Sequence, residues 1–173
     1  MSCRSSRGVH RDQKMLPRDV DNPGHEIPRH VVDIAVDDAF DRYRVLRMYA
    51  DPPYWKDEIT GWMGRYGDKV VLKWETWRNR PMGFAIRSYA SAISGAALTH
   101  SGDPVFSAHI GNAHRRMLLD KDDKGERLWS IEKERHDSPH KIDAAMAGCL
   151  SWEARMDAIA AGMNRPRVRA FAA

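Results

Sequence analysis

Apolar positions along the chain alternate between a helical period and a strand period. From Pro28 onward, Val32, Val36, Ala39, Phe40 and Tyr43 recur at helical spacing, and proline is tolerated in a first turn, so a helix is predicted there. Residues 43–49 are β-branched, aromatic or long enough to pack on a sheet, which predicts a strand. The stretch "DPPYW" ends it, because Pro52 and Pro53 cannot donate ladder hydrogen bonds. Asp51 therefore falls at the C-terminal edge of that strand. Trp55, Ile59, Trp62, Met63 and Tyr66 then share one face of a second helix, closed by Gly67, and "KVVLKWET" at 69–76 reads as a second strand. Helix, strand, helix and strand with short connections predict parallel strands joined by crossover helices.

The second half is more helical. Met82, Ile86, Tyr89, Ala90 and Ile93 mark a third helix ending near Gly95. "LTHSGDP" reads as a turn with Asp103 as N-cap and Pro104 opening a fourth helix. "MLLD" at 117–120 and "LWSIEK" at 128–133 flank the polar turn "KDDKGER" and suit a hairpin. A last helix is predicted over 137–162, with Ser138 as N-cap, Pro139 in the first turn and Gly162 as its stop, which puts Asp143 in the second turn beside an apolar face. Residues 1–24 have no apolar period and read as a disordered or weakly ordered tail.

Composition narrows the classes. A chain of 173 residues, 42% hydrophobic and 30% charged, fits one globular domain. It holds no apolar run near the length of about 20 residues that a membrane span needs, and no apolar signal-peptide stretch, so no membrane partner and a cytosolic location are expected. Cys3 and Cys149 make no metal spacing or disulfide framework. Lys and Arg exceed Asp and Glu by 28 to 24, a lean towards a polyanion that a merely soluble surface explains nearly as well. No Walker A or Gly-rich dinucleotide loop is present.

Candidate chemistry centres on two carboxylates. Asp51 stands where open α/β sheets hold ligands and metals, with capping of the next helix as its plain alternative. Asp143 borders an apolar helical face, where a carboxylate calls for a metal or a cation, with a favourable place in the helix dipole as its alternative. Together they would offer the hard oxygen ligands of Mg²⁺ or Mn²⁺. Glu153 and Asp157 read as solvated charges. His109 and His114 lack the spacing of a zinc pair and read as surface or phosphate-facing groups. Trp74 and Trp77 read as packing groups, the pair His100 and Asp103 as part of a turn, and Glu75 as a substitute ligand.

The series "YADPPYW", "LTHSGDPVFSAHIGNAHRR" and "DSPHKIDAAMA", in this order, resembles the nuclease domain of the large terminase subunit of tailed bacteriophages, especially those of actinobacterial hosts. The resemblance runs over residues 26–162, leaving 1–25 as a tail and 163–173 as a basic C-terminal tail. It implies a ribonuclease H-like α/β fold, here incomplete because the first strands are missing, with a helix-rich C-terminal half. It implies cleavage of double-stranded viral DNA during genome packaging, with two divalent cations about 4 Å apart on the scissile phosphate. By the same resemblance Asp51 and Asp143 are the metal-binding, catalytic acids, and Arg78, Arg80, Arg115, Arg116, His140 and Lys141 face DNA. The rest of a large subunit, the small subunit and the portal are its implied partners, in the cytoplasm of a bacterial host and encoded by a phage or prophage.

The departures are specific. The acid of the family's first strand has no match, since Asp12, Asp19 and Asp21 lie outside any apolar strand pattern. The motor ATPase has no counterpart here, and His140 replaces an expected arginine. Three readings follow: an endonuclease completed by the tail or by a partner, a non-catalytic DNA-binding remnant, or an assembly subunit whose uncovered sheet edge docks another polypeptide.

Overall fold

A computed structural model describes residues 8–10 and 27–163. The described elements are, in chain order, β1 (Gly8–His10), α1 (Arg29–Arg42), β2 (Met48–Ala50), α2 (Lys56–Tyr66), β3 (Val71–Lys73) and α3 (Asn79–Ser94). They continue with β4 (Leu98–His100), α4 (Pro104–Gly111), β5 (His114–Lys121), β6 (Arg127–Glu132) and α5 (Asp143–Ala160). The protein is mixed α/β.

The expected parallel pair is present: β2 and β3 run parallel with Met48 opposite Val71 and Ala50 opposite Lys73. Period-two alternation divides their side chains between two layers. Met48, Ala50 and Val71 face Ile59 and Trp62 of α2 together with Val32, Val36 and Phe40 of α1. Tyr49 and Trp74 face the other core, in which Met82, Ala85, Ile86 and Tyr89 of α3 pack with Cys149, Leu150 and Trp152 of α5.

Both strands are shorter than the sequence pattern predicts. Before β2, Val45 donates to the Tyr43 carbonyl at 2.9 Å, a tight turn that takes residues 43–47 out of the ladder. Before β3, Val70 and Val71 both donate to the Gly67 carbonyl, at 3.1 and 3.0 Å. Gly67, at φ 96°, closes α2 as expected because a left-handed residue there costs glycine little.

The hairpin of β5 and β6 is antiparallel, and α3 lies across it. Gly83 of α3 allows that approach: a Cβ there would stand 3.0 Å from Leu128 Cβ and 3.3 Å from Leu118 Cδ1. Gly148 does the same between α5 and α3, where an added Cβ would stand 2.5 Å from Tyr89 Oη. Residues 98–100, expected within a turn, form β4, which pairs in parallel with β1. Thus Gly8–His10, within the segment expected as a tail, is a strand. The other residues expected in the two tails lie outside the described residues, save Met163, which ends a turn after α5.

The last helix starts later than expected. Ser138 is buried and its Oγ accepts from the His140 N–H at 3.2 Å, so its hydroxyl closes a local turn instead of capping α5. The helix begins at Asp143, which is consequently an exposed first-turn residue and not a second-turn residue beside the core. Gly162, at φ 69°, stops it, with Met163 N–H donating to the Ala158 carbonyl at 2.9 Å.

Candidate functional site

The C-terminal ends of β2 and β3 are tied together by one carboxylate. Asp51 Oδ2 accepts from Thr76 Oγ1 at 2.5 Å, and its Oδ1 accepts from the Thr76 N–H at 3.3 Å. The helix that follows has Trp55 at its N-cap position with no side-chain cap, so Asp51 does not cap α2. Three residues on, Tyr54 holds a left-handed φ of 66° and is 88% exposed, and Trp77, next to Thr76, is 67% exposed. A non-glycine residue in that region carries strain, and strain concentrates at functional positions. Trp74 packs against Tyr49 as expected, with ring centroids 4.7 Å apart, whereas Trp77 does not pack inward.

Asp143 is placed by α4 and by the direction of α5. Asp103 caps α4 as predicted, its Oδ1 accepting from the Phe106 N–H at 2.8 Å. One helical face of α4 then carries Phe106 and His109 inward. His109 is only 6% exposed, and its Nδ1 accepts from the Ala144 N–H at 3.1 Å. It is therefore not a surface group: it satisfies a first-turn amide of α5, one of the four that a helix cannot satisfy itself. Asn112 Nδ2 adds a bond to the Lys141 carbonyl at 3.1 Å. These contacts hold the chain on both sides of Asp143. The spacing Phe106 to His109, i to i+3, was the available sign that His109 turns inward.

Helix α5 passes β2 in the opposite direction. Met163 Sδ, just past α5, lies 3.6 Å from Arg47 Nη2, just before β2, and Asp157 Oδ2 accepts from Tyr49 Oη, two residues later along the strand and six earlier along the helix direction. The N-terminus of α5, with Asp143, is thus directed towards the end of the sheet where Asp51 sits. Among the described residues no three His, Cys, Asp or Glu side chains gather as a metal cluster.

Glu153 and Asp157 are not simple solvated charges. Burial, then the charge of Asp157, raises the Glu153 carboxyl above its ordinary range. Burial, then the bond to Asp157, pushes the Tyr49 phenol up to about 12. Burial likewise pushes the Cys149 thiol up to about 12, which makes it an inert core group.

The arginines expected at DNA have partners within the protein. Arg80 donates to the Lys121 carbonyl and to Asp123 at 2.7 Å, pinning the hairpin turn to α3. Arg115 lies over the Trp129 ring at 4.6 Å, and Arg116 pairs with Glu132 at 3.2 Å. Arg78 is exposed and 3.8 Å from Glu75. His140 is exposed, and Lys141 is half-buried.

This is a mixed α/β protein with a short parallel pair whose C-terminal end carries Asp51 bonded to Thr76. It is similar to the protein named Gene 13 protein of Mycobacterium phage D29, with 30% identity over 171 residues, 91% of this chain and 27% of that protein. It is similar also to the Gene 13 protein of Mycobacterium phage L5, with 29% identity over the same shares. The chain thus spans about a quarter of the length of these phage relatives. No family model matches the chain, and no solved structure matches it. No described helix is long and apolar enough to cross a membrane.

Proposed function

We propose that the chain is the C-terminal part of a phage terminase large-subunit nuclease, with a ribonuclease H-like fold and double-stranded DNA as its substrate. The observation that carries the reading is Asp51 at the C-terminal end of a parallel pair, with its carboxylate fixed by Thr76. Ligand sites of open α/β sheets lie at that end. Similarity to mycobacteriophage proteins agrees with a phage origin.

The two carboxylates suit Mg²⁺ or Mn²⁺ in kind, because such ions take one or two carboxylates and otherwise water. They do not by themselves make a two-metal centre, since no group of three acidic, histidine or cysteine side chains forms among the described residues and no contact links Asp51 to Asp143 there. Catalysis on this reading needs a further carboxylate from outside the described residues. Asp51 and Asp143 would then supply acceptor oxygens, and Thr76 would fix the Asp51 carboxylate so that no reorganisation is needed when a ligand arrives.

That same shortage favours a second reading, a non-catalytic DNA-binding or assembly module of a split or remnant terminase. One experiment separates the two. Isothermal titration of Mn²⁺ and plasmid nicking are measured on the same samples of wild type, Asp51→Asn and Asp143→Asn. Binding and nicking that are present in wild type and lost in both variants support the nuclease. A wild type that neither binds Mn²⁺ nor nicks DNA leaves the second reading.

A further inference from the structure

The edge of β2 away from β3 is unpaired among the described residues, and it forms the floor of a groove of about 480 Å³. Residues 48 and 50 use their backbone groups towards β3: Met48 N–H donates to the Val70 carbonyl at 2.8 Å and the Ala50 carbonyl accepts from Trp74 N–H at 2.9 Å. Strand parity then aims the N–H and C=O of Arg47 and Tyr49 into the groove. One wall is α1, with Val32, Val36 and Phe40. The other is α5, with Ala147, Leu150 and Ser151. A parallel sheet is normally covered on both faces by helices. Here the two covering helices continue past the last strand and leave a gap beside it.

Two further observations say what fits. No residue of α1 is buried, although its face towards the groove is apolar. At the β2 entrance, Arg44 and Arg47 line a second depression continuous with the first, and Arg47 Nε is buried without a hydrogen-bond partner among the described residues. The rest of that guanidinium is engaged, Nη2 with Met163 Sδ at 3.6 Å and the group with the Tyr49 hydroxyl, so Nε alone lacks an acceptor, and a buried donor left so is costly.

We propose that this gap is a strand slot, filled by an extended apolar segment from the larger part of the phage relatives' length that this chain does not span, carrying an acceptor, best a carboxylate, that reaches Arg47. The occupant extends the sheet by one strand, bonds to the backbone of Arg47 and Tyr49, and buries the inner face of α1. Main-chain pairing supplies affinity and the alternating side chains supply register. This assigns a partner to the assembly reading, and it holds whether or not the chain cleaves DNA.

The test uses the full chain and, as a separate polypeptide, the part of the D29 Gene 13 protein outside the matched region, without metal or DNA. Hydrogen exchange at the Arg47 and Tyr49 amides is fast in the chain alone and slows by about tenfold or more when that polypeptide is added. Ser151→Arg and Ala147→Arg, both exposed positions on the slot wall, weaken binding by about tenfold or more and leave the melting temperature of the chain alone unchanged. Thr60→Arg, on the far surface of α2, leaves binding intact. The proposal is overturned if the added polypeptide does not bind, if it binds Ser151→Arg as tightly as wild type, or if the two amides are already protected in the chain alone. Sedimentation showing a dimer with those amides protected overturns it in favour of a second copy. A failure of metal binding or nicking leaves these readouts untouched.

Discussion

The half of the molecule built from α3, the hairpin and α5 differs from the half built on α1, α2 and the β2–β3 pair. In the first, Leu118, Leu128, Met82, Ala85 and Cys149 are sealed, and two glycines let helices and hairpin approach closely. In the second, Ile59, Trp62 and Val71 form a small core, while α1 packs on it through half-buried Val32, Val36 and Phe40 and adds polar bonds. Its Asp33 accepts from Trp62 Nε1 at 2.7 Å and pairs with Arg65, and Asp37 pairs with Arg65 at 3.0 Å. Phe40 stacks on Tyr66 with ring centroids 3.7 Å apart, yet no α1 side chain is fully covered. Both halves have helices on a sheet. The hairpin half has the larger closed core, with Met117 and Leu119 exposed on its outer face, and the other half leaves the β2 edge unpaired among the described residues.

Truncations to alanine should expose that difference. Leu128→Ala removes a fully buried side chain facing Gly83 and Leu118, and is expected to cost about 2–5 kcal/mol in urea unfolding. Val36→Ala removes a half-buried side chain on the slot wall, and is expected to cost about 1 kcal/mol or less. Comparable losses at the two positions would erase the contrast. A Val36→Ala penalty that grows when the slot is occupied would sharpen it.

An effect between those two is expected where the two halves meet the candidate site. His109→Ala leaves the Ala144 N–H of α5 without its acceptor, and is expected to cost about 1–3 kcal/mol. Faster hydrogen exchange at Ala144, with the Gly83–Leu128 region still protected, would place the loss at the N-terminus of α5. Unchanged exchange there would mean that His109 does not position the start of that helix.

How much of this was legible in the sequence follows how local each determinant is. The cap of α4 depends on Asp103 and the three residues after it, and the faces of α2 and α3 repeat over several turns, so those elements were readable. Ser138-Pro139 is equally compatible with a helix start and with a serine turn. Tertiary contacts decide for the turn: Lys133 Nζ donates to the Ser138 carbonyl at 3.2 Å, and His109 takes over at the true start of α5. The strand β4 carries a single buried residue, Leu98, and forms by pairing with the distant β1, which no alternation announces. Asp51 was visible because prolines isolate it. Its partner Thr76 was not, because their meeting depends on the parallel register of β2 and β3.

The subtlest difference lies on α5, which serves both halves. Cys149 and Trp152 are buried in the closed core, while Glu153, one turn beyond Cys149, is half-buried near Asp157, which takes the Tyr49 hydroxyl. A carboxyl whose folded pKa is raised holds its proton more tightly when folded. Its unfavourable contribution is absent below the ordinary Glu value of 4.5 and grows as pH rises through the raised folded value. Glu153→Gln is therefore expected to stabilise the chain at pH 7 by under about 1 kcal/mol, because water still reaches the group. The gain should fade when melting is repeated below pH 4.5. A gain that persists at low pH would point to packing, not charge. A loss at pH 7 would mean that the Glu153 carboxylate has a cationic partner, as it would if an occupant of the neighbouring slot brought a basic residue to α5.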